Sequence, residues 1–293
     1  MQKFVVQRAM NALACVVRCE NRLGEGPCWS PMEGRLYWFD IKSLELHWLA
    51  PDTGRTGLFR LPMRASAATP RRAGGLLLAT EQGLAVIDTA TGEVRVVQPV
   101  ELEPGFRTND GKIDPAGNFW WSTMDDHGGE RAGAVFRTRP GMVTERVIEG
   151  IHIANTVSVS ADGRRLYLAD SMLGKLFVHD TADLSQVREF ATTSEGVSPD
   201  GSAIDAEGFL WNVQWGGWRI VRYAPDGRVD RVVETPVAQP TSCAFGGPEL
   251  STLYVTSAWD GLSAEDRARQ PLAGALFALE PGVRGMPLPL FAG

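Results

Sequence analysis

The chain repeats itself, and the repeat constrains its fold more than any other feature. A turn followed by a short β-branched or aromatic run recurs six times, as GRLYWFD, GGLLLAT, GNFWWST, GRRLYLAD, GFLWNVQ and STLYVTS. By composition and length each run is a strand. The first apolar residues of these runs are Leu36, Leu76, Phe119, Leu166, Leu210 and Leu253, spaced 40, 43, 47, 44 and 43 residues apart. That period suits one four-stranded propeller blade per repeat. Further strands follow the markers after a turn, in LGKLFVHD, GWRIVRYAPDG and GALFALEPG, and turn signals such as PDTG, DPAG, SADG and APDG separate them. Six units use nearly all of the 293 residues. The expectation is an all-β, six-bladed β-propeller in one domain over residues 15–293, preceded by an N-terminal extension, residues 1–14, without ordered structure. A sandwich or a lipocalin-like barrel does not require six equal repeats. The one helix expected is a short polar excursion, Ser263 to Gln270.

Composition narrows the partners. The formal net charge is −6 and no run of Lys or Arg accumulates, which argues against nucleic acid or an anionic membrane as partner. No stretch approaches the roughly eighteen apolar residues of a membrane span. Cys15, Cys19, Cys28 and Cys243 are too few for a disulfide scaffold of this size and read as reduced thiols in a cytoplasmic protein. Near the N-terminus Arg8 and Asn11 interrupt any apolar core of an export signal. A monomer acting on a small molecule is expected.

The repeat also serves as a ruler. Ten or eleven residues before each marker stand Glu25, Ser66, Asn109, Asn155, Asp200 and Ser242. Equivalent positions of successive blades are related by rotation about the central axis, so these six should form a ring on the innermost strands. Any one Asp or Asn beside Gly is ordinarily a turn residue. Four in register, in LGEGP, TNDGK, IANTV and SPDGS, are harder to explain that way. Oxygen donors converging from Glu25, Asn109, Asn155 and Asp200 suit a hard divalent cation, with two carboxylates balancing its charge. Arg107 and Arg64, each two residues before a ring position, fall on the same face one step along the channel. From there either would reach a substrate oxygen.

Other chemistries find no support. There is no GxSxG, HExxH or P-loop, and His47, His127, His152 and His179 lack metal-ligand spacing. Asp114, Asp162, Asp205 and Asp226 lie in turns and are assigned no chemistry. Trp38, Trp120, Trp121 and Trp211 fall inside the marked strands and read as blade core. Trp215 and Trp218, in QWGGW, are candidates for a pocket wall.

The segments LGEGPCW, FRTNDGKIDPAGNFWWSTMD, IANTVSVSADGRRLYLADS, SPDGSAIDAEGFLWNVQWGGW and PLAGALFAL, in that order, resemble the senescence marker protein, gluconolactonase and regucalcin family of sugar lactonases. The resemblance implies a six-bladed propeller with one divalent metal ion, whether calcium, zinc, manganese, magnesium or iron. It carries metal ligation onto Glu25, Asn155 and Asp200, the role of general base onto Asp200, and substrate binding onto Arg107 and Asn109. The activity implied is metal-dependent hydrolysis of a pentono- or hexonolactone to the aldonic acid in oxidative sugar catabolism. Two departures stand out: Thr156 follows Asn155 where the family usually has Gly, and residues 1–10 precede the usual start, which leaves Met10 as an alternative initiator. The rival of another class is a non-catalytic metal-binding or protein-interaction propeller, which would need no Arg107 beside the carboxylate ring. An ester or organophosphate hydrolase on the same fold would want a more apolar pocket.

Overall fold

The marker strands are apolar along their whole length because both of their faces are covered. In Arg35–Asp40, Tyr37 and Phe39 pack with Leu76, Leu78 and Ile87 of the next repeat, while Leu36 and Trp38 pack with Tyr254, Leu276 and Ala278 of the last. The same alternation sends Phe119 and Trp121 one way and Trp120 the other. Side chains of a strand point to opposite faces at every step, so a strand sandwiched between two sheets reads as a continuous apolar run. In the computed structural model, which describes residues 13–293, this produces six four-stranded antiparallel sheets and six apolar clusters, one for each interface between neighbouring sheets. Fully burying each Leu or Phe of such a cluster contributes about 1.5–3 kcal/mol.

The architecture is a six-bladed β-propeller. The innermost strands are Gly24–Ser30, Ala65–Pro70, Phe106–Ile113, Ala154–Val159, Ser198–Ile204 and Pro240–Gly246, and the six markers begin or nearly begin the second strands. Five blades run in chain order from the axis outward. The sixth takes its outermost strand from the other end of the chain: Ala14–Val17 pairs antiparallel with Leu276–Leu279. Ala14, placed in the extension by the sequence, is thus the first residue of a blade strand among the described residues. The expectations for residues 1–10 lie outside the described residues. Helix is confined, among the described residues, to Ala264–Arg269, where the Ser263 hydroxyl caps the Asp266 amide and Gln270 closes the C-terminus, as its sequence suggests.

The turn aspartates are structural. Asp114 accepts hydrogen bonds from the Asn118 amide (2.8 Å) and Trp120 Nε1 (2.8 Å), fixing the first indole of the third blade. Asp205 does the same for Trp211 (2.9 Å) and also takes Arg222 Nε (2.8 Å). Arg222 is itself buried, stacked 3.7 Å over the Phe209 ring. We expect Asp205→Ala to lower unfolding free energy by about 1–3 kcal/mol, because it strips the buried Trp211 Nε1 and Arg222 Nε of their acceptor while Glu207 and Asp230 still pair the guanidinium. Asp162→Ala, on an exposed turn, is the control and should cost far less. Urea unfolding of the two variants checks this, and equal losses would refute it.

Candidate functional site

Every innermost strand is irregular at one place. Register shifts fall between Glu25 and Cys28, Ala65 and Ala67, Thr108 and Gly111, Asn155 and Ser158, Pro199 and Ser202, and Pro240 and Cys243. All six ring positions sit at or inside these bulges. A bulge frees a residue from the ladder and re-aims its side chain. Glu25, Asn109, Asn155 and Asp200 are thereby brought to the channel, each about 5 or 6% exposed.

Their orientations follow from donor and acceptor logic. The Ser171 hydroxyl donates to Pro199 O (2.7 Å) and so accepts from Asn155 Nδ2 (2.9 Å), which leaves Asn155 Oδ1 facing the ring. Asn109 Nδ2 donates to that oxygen (3.0 Å) and to Ala154 O (3.1 Å), so its own Oδ1 is free to accept from Arg107 Nη1 (2.7 Å). Arg107 and Asn109 are thus coupled on one face, as period-two alternation anticipates. Ser66 turns away to Thr108 (2.8 Å), while the buried Ser242 hydroxyl finds no partner among the described residues.

Asp110 belongs to this centre although the sequence reading passed over it. It is buried, with Oδ1 on the Gly111 amide (2.7 Å) and Oδ2 on the Val157 amide of the next blade (2.9 Å). Strict alternation turns Asp110 away from the side that Asn109 faces; the bulge breaks that alternation. Burial, and then the charge of Asp110, holds the Glu25 carboxyl above the ordinary range. Asp200 is raised in the same way by burial, then by Glu25 and by Asp110. The Gly26 amide (3.0 Å), and then the charges of Arg107 and Lys112, act against this on Glu25. A divalent cation fits such a donor set: two carboxylates with no ion pair among the described residues, and the Asn155 carboxamide oxygen facing the ring. Among the described residues no group of three or more His, Cys, Asp or Glu has metal-holding geometry, so such a site depends on the carboxamides as well.

Arg64 is nearby but differently engaged. Its Nε binds Glu81 (2.6 Å) and its Nη1 binds Asp126 (2.8 Å). Asp126 also receives Arg107 Nε (2.8 Å) and Lys42 Nζ (2.8 and 3.0 Å). Burial works against the Asp126 charge, but the hydrogen bonds from Lys42 and Arg107 outweigh it and hold the pKa down at about 2. Asp125, its neighbour, turns instead to Arg131. Of the two candidate wall residues, Trp215 packs against the cluster of the first two blades and Trp218 is exposed. The large apolar cavity, about 520 Å³, lies beyond the ring toward the far ends of the innermost strands, lined by Cys28, Thr69, Ile113, Val159, Ile204 and Phe245 among others.

Thr156 holds the ring from behind. Its φ of +59° is left-handed, the conformation that Gly26, one residue past Glu25, adopts at +54° in the first blade. A residue with a Cβ is strained there by about 1–2 kcal/mol. In return the buried Thr156 hydroxyl donates to Asp200 O and receives Ser202 Oγ (3.1 Å) and Asn212 Nδ2 (3.1 Å). Thr156→Val keeps the shape and removes these bonds. We expect a loss of about 1–3 kcal/mol in urea unfolding. Thr156→Ser should restore most of it, and a Val variant as stable as the parent would show the network to be idle.

Comparisons with known proteins place the chain in a family. The chain is 36% identical over 289 residues to a 6-deoxy-6-sulfogluconolactonase of Pseudomonas putida, covering 96% of this chain and 99% of that one. It is 37% identical over 282 residues to an L-arabinolactonase of Azospirillum brasilense, covering 93% of each. The crystal structure of a calcium-binding protein, regucalcin, from Agrobacterium tumefaciens superposes with a TM-score of 0.90 at 32% identity, over 94% of this chain and 96% of that one. The family model for the SMP-30/Gluconolactonase/LRE-like region matches residues 23–259, from the strand entering the first ring position to the end of the last blade's second strand, and the chain belongs to that family.

Proposed function

We propose that the protein is a metal-dependent lactonase that opens a pentono- or hexonolactone to the aldonic acid, as oxidative sugar catabolism requires. The observation that carries this reading is the ring itself: two buried carboxylates and two carboxamides on one channel, with Arg107 hydrogen-bonded to one of them. Relatives of nearly full length are a 6-deoxy-6-sulfogluconolactonase, an L-arabinolactonase and a pentonolactonase, which supports a sugar lactone as substrate. A regucalcin described as calcium-binding supports the metal.

Glu25, Asn155 and Asp200 are the residues that would hold the cation, with Asn109 adjacent. When bound, the cation supplies Lewis acidity toward the lactone carbonyl. Asp200 takes the proton of the attacking water as its oxygen bonds to the carbonyl carbon, and the ring C–O bond then breaks as its oxygen gains a proton. Arg107 and Asn109, locked together, orient sugar oxygens so that little freedom is lost at reaction. A non-catalytic metal-binding propeller would have no use for that pair.

Two outcomes are expected from pH-stat assays on a panel of aldonolactones. Chelation should abolish turnover, with one or more divalent ions restoring it. Asp200→Asn should reduce kcat by about 10²–10⁴-fold. Tight metal binding by calorimetry with no acceleration of any lactone would leave the scaffold reading in place. Arg107→Lys, which keeps the charge and loses the two-sided hydrogen bonding to Asn109 and Asp126, should lower kcat/KM by about tenfold or more.

A further inference from the structure

Beside the ring lies a cluster of which the lactonase reading uses only Arg107. Lys42, Arg64 and Arg107, from three successive blades, converge on Asp126, with Glu81 behind Arg64. Three cations meet two carboxylates, a surplus of one positive charge in a protein whose formal net charge is −6.

The acceptor sites of Asp126 are filled, and Glu81 is turned to Arg64. Asp126 Oδ1 is taken by Lys42 and Arg107, and Oδ2 by Lys42 and Arg64. Glu81 gives Oε1 to the Arg64 amide (3.1 Å) and Oε2 to Arg64 Nε. The cations keep free donors: Arg64 Nη2, Arg107 Nη2 and the third ammonium hydrogen of Lys42 have no partner among the described residues. A neutral hydroxyl both gives and accepts and is best met by a mixture of groups. Free donors on three cations with surplus positive charge match an oxyanion. The side chains are 21% exposed at Lys42 and 28% at Arg64, so the site is reachable. Asp126 holds the cations in place before any ligand arrives, which lowers the ordering cost of binding.

Position ties the cluster to the reaction. Arg107 bridges Asn109 Oδ1 and Asp126 Oδ1, so the surplus charge stands one guanidinium outward from the ring. We propose that Lys42 and Arg64 form, with Arg107, a subsite for an anionic substituent carried on the substrate at the end remote from the lactone carbonyl. This rests on the lactonase reading above and narrows its substrate class to lactones bearing a sulfonate, phosphate or carboxylate.

The test compares gluconolactone with its derivatives carrying phosphate, sulfonate or carboxylate at carbon six, using metal-loaded enzyme. At least one anionic lactone should show a kcat/KM about tenfold or more above the neutral parent, and the preference should shrink as ionic strength rises from about 20 mM to about 500 mM. The derivative most favoured identifies the substituent. Lys42→Gln and Arg64→Gln should each cut the anionic-to-neutral ratio by about fivefold or more. Calorimetry with gluconate and phosphogluconate reads the same preference without turnover. Neutral gluconolactone hydrolysed as well as every anionic derivative, with a salt-independent ratio, overturns the subsite and leaves the lactonase standing. No turnover of any lactone, together with equal binding of the two acids, overturns both.

Discussion

The structure depends on closure about an axis. Six sheets can cover one another's apolar faces only if the first and last also meet, and the chain meets this demand by completing the sixth blade from both ends, Ala14–Val17 against Leu276–Leu279. Closure leaves no sheet face of a blade bare. It also brings innermost residues more than forty positions apart in sequence to a common channel. The ring of Glu25, Asn109, Asn155 and Asp200 is therefore a consequence of the same packing that buries Trp38, Trp121 and Trp211.

At the centre the fold carries an electrostatic load that packing does not relieve. Glu25, Asp110 and Asp200 are all buried, and each raises the cost of charging another. Folding alone would favour apolar residues there. The backbone is arranged to hold these groups nonetheless: the Gly26 amide on Glu25, the Gly111 and Val157 amides on Asp110, and the Thr156 and Asn212 side chains on the carbonyl of Asp200. Such support around unbalanced charge suits the cation site proposed above.

The fold was legible because its signal is periodic. Six runs at a spacing near forty-three, and two faces of each run buried, leave little choice of architecture, and even the short helix after Ser263 could be placed. The four polar ring positions were legible for the same reason. Asp110 was not, because a bulge interrupts the alternation used to decide which way side chains point. Asp126 and Lys42 were not, because they stand off the repeat, in turns whose mutual approach is a property of the closed ring. The glycines of QWGGW signal a turn; Trp215, ending a fifth-blade strand, is half-buried against the cluster of the first two blades, and Trp218 faces solvent.

Thr156 shows how the two kinds of constraint are reconciled. One residue past Glu25 the chain solves a left-handed backbone with Gly26, where an added Cβ would lie 2.1 Å from Ser66 O. One residue past Asn155 the same conformation falls to Thr156, and the hydroxyl it carries ties the fourth blade to the carbonyl of Asp200 in the fifth. Backbone strain at the one position is exchanged for a fixed geometry between two of the three residues assigned to the metal. Outward from them, Arg107 separates a negatively charged ring from a positively charged rim, joining each through its own hydrogen bonds. The polarity thus reverses across a single guanidinium, which sets the direction in which a substrate with a polar carbonyl at one end and a negative charge at the other would lie.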